Sequence, residues 1–353
     1  MSGTGRLRVV VIALEWPSPG RHAGGVGRYA KRLCEWLSGH VDLTVVTGPE
    51  PEPMEGDGRL VAVEVDRPGG RFARYYVAPV RAARAVDALA PDVVHSHGDD
   101  WPLVLRRRPH PPVVRTYYGC SAAEARSGPP LRRANHVVLA GIEHACRSRY
   151  ALAVGVGPDS FAAFECHRLI PPVFGIDPGP TGAKDDDPLA VFIGGFRTRK
   201  RGELALEAVA EARRSVPRLR LAVVGPSAER GRYPDWVEFH DRLDDGAVRA
   251  LVRRSWVLLA PSTYEGFGIP VWEAMASGTP VLATPSPGVD FLAAGGSCTV
   301  VGAGRLGPEL VSLLEGDARR ARQAAGGVAR AMEVAAMGRP DQYLEMYEKV
   351  AAG

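Results

Sequence analysis

Long apolar runs are the first thing this sequence lacks. No stretch approaches the ~18 uninterrupted apolar residues of a membrane-crossing helix, so no transmembrane segment is expected. The apolar run in "MSGTGRLRVVVIALEWP" is short and ends in an acid and a proline, so a first β-strand is expected there rather than a signal peptide. Cysteine is also scarce. The five residues (Cys34, Cys120, Cys146, Cys166 and Cys298) are scattered, odd in number and form no C-x-x-C pair. That argues against a disulfide framework or a zinc site and for a reducing, cytoplasmic compartment. Charge of one sign is lacking too: 44 Lys and Arg stand against 40 Asp and Glu, leaving +4. That balance is too small to argue for a nucleic-acid partner, although a local basic cleft for phosphates is compatible with it. No D-x-D metal motif is evident, because the "DDD" at 185–187 falls in a Pro/Gly/Asp-rich stretch and reads as a solvated charged run. No metal or other cofactor is expected.

What is there is a chain of 353 residues, too long for one ordinary core and suited to two domains of roughly 150 to 180 residues. Short β-branched runs alternate with helical patterns from end to end. In the first half the strand candidates are "LRVVVIAL", "VDLTVVTG", "LVAVEV", "DVVHSHG", "PPVVRTYYG", "NHVVLAG" and "HRLIPPV", with helices over 26–38 and 72–89 between them. After the Pro/Gly/Asp-rich stretch at 175–188 come "LAVFIGG", "RLRLAVVG", "WVEFHDR", "WVLLAPS", "TPVLATP" and "SCTVVG". Strands apolar on both faces, separated by helices, predict parallel sheets covered on both sides. The expected fold class is α/β, with two doubly wound Rossmann-like domains. Residues 1–178 form the first and 186–335 the second. A last helix, 336–353, carries an apolar stripe (Tyr343, Leu344, Met346, Tyr347, Val350) suited to packing back on the first domain. In such folds ligands bind beyond the strand C-termini, here between the domains.

The densest chemistry lies in "PSTYEGFGIPVWEAMASGTPVLA", residues 261 to 283. A buried strand ends at Pro261-Ser262, "EGFG" turns, and a helix over 270–277 is expected with Pro270 at its first position. Its start would aim the amides of Phe267 to Val271 outward, where they can hold an anion. Glu273 is expected in the first turn and Glu265 ahead of the turn. Two bland roles compete: a helix-dipole partner for Glu273 and a surface turn acid for Glu265.

The full pattern, E-G-F-G-x-P-x-x-E-A-M-A-x-G-x-P-V, resembles the signature of the retaining GT-B glycosyltransferases of family 4, the E-x7-E enzymes. The resemblance covers nearly the whole chain. "GGVGRYAKRLCEWL", "PDVVHSHG", "RLIPPVFGID" and "FIGGFRTRKRGELALEA" are similar to the family's N-terminal glycine-rich loop and helix, its D-V-V-H-x-H strand, its linker strand and its basic loop. The resemblance implies a GT-B fold and a nucleotide-sugar donor (GDP- or UDP-linked), with Glu273 on the ribose hydroxyls. Glu265, with the amides of Gly266, Phe267, Gly268 and Ile269, would contact the transferred sugar. A carboxylate suits vicinal hydroxyls because it accepts from both at once. His97, two residues after His95 on the same strand face, would hydrogen-bond the sugar. In the basic loop Lys200 matches the family's lysine, whereas Gly195 stands where the family has arginine. Arg197, Arg199 or Arg201 is then the candidate to help neutralise the leaving diphosphate. Gly24, Gly25 and Arg28 of the first glycine-rich loop are further candidates, and Asp290 sits roughly where the family has another glutamate. By the same resemblance the reaction is metal-independent front-face transfer, in which the departing phosphate takes the acceptor's proton.

For the acceptor, three segments expected at strand ends carry acids beside aromatic rings. They are "HGDDW" (97–101), "TYYGC" (116–120) and "LAGIEH" (139–144), holding Asp99, Asp100, Trp101, Tyr117, Tyr118 and Glu143. The mixture suits a small polar acceptor, including a cationic one such as an aminocyclitol. Equally, the rings can be core and the aspartates helix caps. The basic clusters at 105–110 and 131–133 lack a matching apolar face, so a soluble acceptor is favoured over a lipid one and membrane contact is not expected. The protein is expected to be a monomer or homodimer. The Ala-, Gly- and Arg-rich composition fits a GC-rich bacterial genome and, by association, a natural-product pathway such as antibiotic biosynthesis. A non-catalytic nucleotide-sugar binder is the rival reading, supported by the glycine at 195.

Overall fold

The computed structural model describes residues 5–19, 24–63, 73–126, 130–175, 178–179, 183–196, 199–225, 233–241 and 243–353. The chain divides into two units: Met1–Gly175 together with Gly338–Gly353, and Ile176–Met337.

The first unit holds seven strands: β1 (Arg8–Ala13), β2 (Asp42–Thr47), β3 (Arg59–Ala62), β4 (Val93–Ser96), β5 (Val113–Tyr117), β6 (Leu152–Gly155) and β7 (Arg168–Leu169). They run in the order β3-β2-β1-β4-β5-β6-β7, parallel at every pairing. β1 shows why. Its residues Val9 to Ala13 are all buried. Val9, Val11 and Ala13 enter one core with the helix Gly25–Ser38, while Val10 and Ile12 enter another with the helix Ala78–Leu89. A strand with apolar residues on both faces needs a layer on each side, which crossover helices supply. The final helix, Asp341–Ala352, buries Tyr343, Met346 and Tyr347 in the first of these cores, beside Tyr29 and Leu33.

The second unit holds β8 (Leu189–Ile193), β9 (Arg220–Val224), β10 (Val237–His240), β11 (Val257–Ala260), β12 (Val281–Ala283) and β13 (Thr299–Val300). Their order is β10-β9-β8-β11-β12-β13, again all parallel. Phe192, Leu221, Leu259 and Leu282 pack with Ala205, Val209 and Leu310. Strand order reverses between β1 and β4 in one unit and between β8 and β11 in the other. In open parallel sheets these switch points, at the strand C-termini, are where ligands sit.

Four expectations need correction. "NHVVLAG" is no strand but part of the helix Pro130–Cys146. Val137 and Val138 are 63% and 51% exposed on it, so the apolar run that imitated a buried strand lies on an outer helix face. The strand that takes that place in the sheet is β6. Second, the aspartates at 185–187 are not a solvated run throughout: Asp186 is exposed, but Asp185 receives Arg220 and Arg254 at 3.2 and 3.0 Å, and Arg218 pairs with Asp187. Third, the helix expected from residue 72 opens as a π-helical turn, Ala73–Val77, before the α-helix Ala78–Leu89. Fourth, the helix after "EGFG" is Ile269–Ala276. Gly268, with φ of 88°, starts it one residue early, so Pro270 is its second residue and Glu273 lies beyond the first turn. No helix among the described residues is long and apolar enough to cross a membrane.

Candidate active site

The loops that follow β8 and β11 meet over the switch point of the second unit. Glu265, on the β11 loop, is 6% exposed. Its Oε1 accepts from Lys200 Nζ at 2.5 Å and from Ser262 Oγ at 2.6 Å, and its Oε2 from Arg199 at 3.3 Å. Arg199 also donates to the Tyr264 carbonyl at 2.7 Å, while the Thr263 amide donates back to the Arg199 carbonyl at 2.8 Å. The two loops are thus stitched together by one buried carboxylate and two cations. Burial pushes the Glu265 carboxyl up, but the Lys200 and Arg199 charges and the Lys200 and Ser262 hydrogen bonds outweigh it, so it lies below its ordinary value.

Local geometry explains the glycines. Gly194 has φ of 147°, and a Cβ there would come within 2.8 Å of Lys200 Cγ, so only glycine lets the lysine fold over the strand end. Arg201 does a different job from its neighbours. At φ 52° it precedes the helix Gly202–Ala212, and it donates to the Pro261 and Ser262 carbonyls at 2.5 and 3.3 Å and to Thr284 Oγ1 at 3.0 Å. Arg201 therefore braces the β11 and β12 strand ends. Gly195 is half-buried in the same loop, and Arg197 lies outside the described residues. Gly266, Phe267 and Gly268 are buried, while Ile269 and Glu273 are half-buried on the following helix. A pocket at this strand end is lined by Lys200, Ser262, Glu265, Pro270 and Val271. Asp290 is exposed, on the helix Pro287–Leu292, and the Gly288 amide of that helix donates to the Glu265 carbonyl at 2.9 Å.

In the first unit the residues after β4 and β5 form a second polar cluster. His97 follows β4 directly, and its Nδ1 lies 2.5 Å from the Tyr118 hydroxyl. His95 is fully buried, with Nε2 2.9 Å from Thr116 Oγ1 and Nδ1 2.6 Å from the Tyr347 hydroxyl. Burial and the Arg115 charge hold His97 down to about 3, so it is neutral at physiological pH. Asp100 is 4% exposed and accepts from Tyr150 at 3.1 Å, with Arg115 3.4 Å away. Asp99 pairs with Arg74 at 3.5 Å; burial, opposed by Arg74, pushes its carboxyl up to about 6. Trp101 donates to the Tyr75 carbonyl at 3.4 Å. Tyr117 stacks on Phe164, with Arg115 over its ring. Glu143 is on the helix Pro130–Cys146, not at a strand end, and accepts from Ser121 Oγ and N at 2.7 and 3.2 Å. Gly24 caps the helix Gly25–Ser38 and is exposed with Gly25, while Arg28 is half-buried one turn in. Gly27 is the glycine that packing demands there: a Cβ would strike the Glu15 carbonyl oxygen at 1.9 Å.

Comparison with known proteins decides the family. The description "Glycosyl transferases group 1" matches residues 175–303, and "Glycosyltransferase Family 4" matches residues 23–154. The chain belongs to the family 4 glycosyltransferases. A phosphatidyl-myo-inositol mannosyltransferase of Propionibacterium freudenreichii subsp. shermanii is 27% identical over 314 residues, covering 77% of this chain and 76% of that protein. A D-inositol 3-phosphate glycosyltransferase of Frankia alni is 33% identical over 172 residues, 42% of each. Among solved structures, sucrose-phosphate synthase of Thermosynechococcus elongatus superposes with a TM-score of 0.80 over 98% of this chain and 100% of that one, at 19% identity. The fold of this glycosyltransferase is GT-B.

Sequence reasoning did not single out Ser262, Arg115 or Tyr347. Arg115 had a signal: it is the one charge inside the apolar strand "PPVVRTYYG", and a charge in a buried parallel strand demands a partner. Ser262 and Tyr347 had none, because a serine after a strand and a tyrosine in an apolar stripe are ordinary.

Proposed function

We propose that this glycosyltransferase moves a sugar from a nucleoside diphosphate, UDP or GDP, to a hydroxyl of a small polyhydroxylated ring, with retention at the anomeric carbon. The observation that carries the reading is the joint placement of Glu265, Lys200 and Arg199 at the β8/β11 switch point. Lys200 and Arg199 take the diphosphate, with Arg199 supplying the charge that Gly195 lacks. Glu265 and the amides of Gly266 to Ile269 take the sugar hydroxyls, and Glu273 takes the ribose. The bond from C1 to the phosphate oxygen breaks as the acceptor oxygen bonds C1 on the same face. The acceptor's proton passes to the departing phosphate, and the nucleoside diphosphate leaves. Negative charge developing on that phosphate is stabilised by the two cations already in place, so no divalent cation is needed.

The acceptor class follows from the first unit's cluster and from the relatives. Asp99, Asp100 and Glu143 each have a partner in the protein, which favours a neutral polyol over a cationic amine. The two curated relatives are named for an inositol-containing acceptor, and a cyclitol also fits a natural-product role. Purified protein incubated with UDP- and GDP-sugars and myo-inositol or its phosphate should release nucleoside diphosphate only when acceptor is present and yield a new glycoside. Release without acceptor dependence, or none with any pairing, sinks the proposal.

A lipid-linked acceptor is the second reading. It is favoured by exposed Val137 and Val138 on the helix Pro130–Cys146 and by the phosphatidyl-inositol relative. Sedimentation with anionic vesicles separates the two: strong binding selects the lipid acceptor.

A further inference from the structure

We infer that Tyr118 is a positioning residue that fixes His97 as its Nε2–H tautomer, so that His97 presents a hydrogen-bond donor to a substrate oxygen. The inference rests on the glycosyltransferase reading above and concerns the proton at one atom of the first unit.

The two histidines have four ring nitrogens, and three are committed. His95 Nδ1 lies 2.6 Å from the Tyr347 hydroxyl, His95 Nε2 2.9 Å from Thr116 Oγ1, and His97 Nδ1 2.5 Å from the Tyr118 hydroxyl. His97 Nε2 is buried and has no partner among the described residues. A neutral imidazole carries one N–H, and the bond at one nitrogen decides which atom bears it. Among the described residues the Tyr118 hydroxyl has one hydrogen-bond partner, His97 Nδ1. If the hydroxyl donates, both it and Nδ1 are satisfied and the ring proton sits on Nε2. If instead Nδ1–H donated, the buried Nε2 lone pair would go unmet and the half-buried tyrosine's proton would lose its one described partner, and an unmet buried group is costly. The phenol keeps its proton for this task, since burial raises it well above its ordinary value.

The pair is also held mechanically. β4 and β5 are parallel neighbours, with Ser96 opposite Arg115, and His97 and Tyr118 stand just past their ends. The Tyr118 ring meets Tyr29 edge-on at 6.1 Å, and the Tyr29 hydroxyl lies 3.3 Å from that of Tyr343 on the final helix. An unmet buried N–H at a switch-point strand end is matched by one ligand oxygen, and a sugar hydroxyl or an acceptor hydroxyl supplies it.

The test pairs spectroscopy with kinetics. With 15N-labelled histidine, long-range proton–nitrogen correlation should find wild-type His97 protonated at Nε2 and bare at Nδ1. Tyr118→Phe should give a mixture of tautomers and lower kcat about tenfold, with donor KM within about twofold. His97→Gln, whose amide N–H falls near Nε2, should keep more turnover than His97→Ala, and adding Tyr118→Phe to it should cost nothing further. A wild-type ring protonated at Nδ1, an unchanged tautomer in Tyr118→Phe, an unchanged kcat in that variant, or an equal Tyr118→Phe loss in both backgrounds overturns the inference. The tautomer reading needs no substrate, so a wild-type protein inert towards every nucleotide sugar fails the proposed function separately.

Discussion

Replacing Lys200 by methionine removes the nearest cation from a carboxylate that water barely reaches. Glu265 is 6% exposed, with Lys200 Nζ at 2.5 Å, Ser262 Oγ at 2.6 Å and Arg199 at 3.3 Å. Stripping one partner from a fully buried ion pair costs about 3–5 kcal/mol. Here Arg199 and Ser262 remain and Lys200 is itself 21% exposed, so the loss should be about 2 kcal/mol. For a unit of this size that is a fall of roughly 4–8 °C in the melting transition. Glu265→Gln should cost less, because the freed cations can turn to solvent. The double variant should lose less than the two single losses added, giving a coupling energy of about 1–2 kcal/mol. The pH dependence has a definite sign. The Glu265 carboxyl lies below its reference of 4.5 in the folded protein, so its stabilisation is complete above that reference and fades as pH falls through the folded value. The gap between wild type and Lys200→Met should therefore be widest near neutrality and narrow under acid. Calorimetry from neutral pH down into acid measures both. A Lys200→Met loss below about 0.5 kcal/mol at neutral pH, or a gap indifferent to pH, would mean that the Lys200–Glu265 pair does not stabilise the fold.

Asp99→Asn should stabilise the first unit above pH 6 and not below pH 4. Burial raises the Asp99 carboxyl from 3.8 to about 6 despite Arg74, so folding favours its protonated form and that contribution is lost as pH rises through about 6. The bound is on the order of 3 kcal/mol, and melting curves across that range check it. Gly194→Ala should lower stability by about 1–3 kcal/mol and weaken nucleoside diphosphate binding, because φ at 194 is 147° and the new methyl would meet Lys200. Thermal shift with and without UDP or GDP reads both effects.

The two parallel sheets were legible because buried strands such as β1 and β8 are apolar on both faces, which few other arrangements tolerate. "NHVVLAG" misled for the same reason: adjacent valines look like a strand whether they face a core or solvent, and Val137 and Val138 face solvent. Glu265, Lys200 and Arg199 were named from the family resemblance, and the structure brings the three together at one strand end. Which arginine pairs with Glu265 was not legible. Arg199 and Arg201 are two residues apart, and only the backbone at 201, with φ of 52°, sends the latter to the Pro261 carbonyl instead. Asp185 and Asp187 were misread because their arginine partners lie 31 or more residues away in sequence, beyond any local pattern.

If Lys200 and Arg199 hold the donor's diphosphate while Glu265 faces its sugar, calorimetric titration of UDP and GDP will register it. Wild type should bind one of the two nucleotides, and Lys200→Met should weaken that binding at least tenfold, the scale of one lost charge-assisted contact of about 1.5–3 kcal/mol. Glu265→Gln should bind the free nucleotide as tightly or more tightly, since it releases both cations, while its sugar transfer is lost. Equal affinity in wild type and Lys200→Met, or full transfer by Glu265→Gln, would show that these residues do not hold the donor.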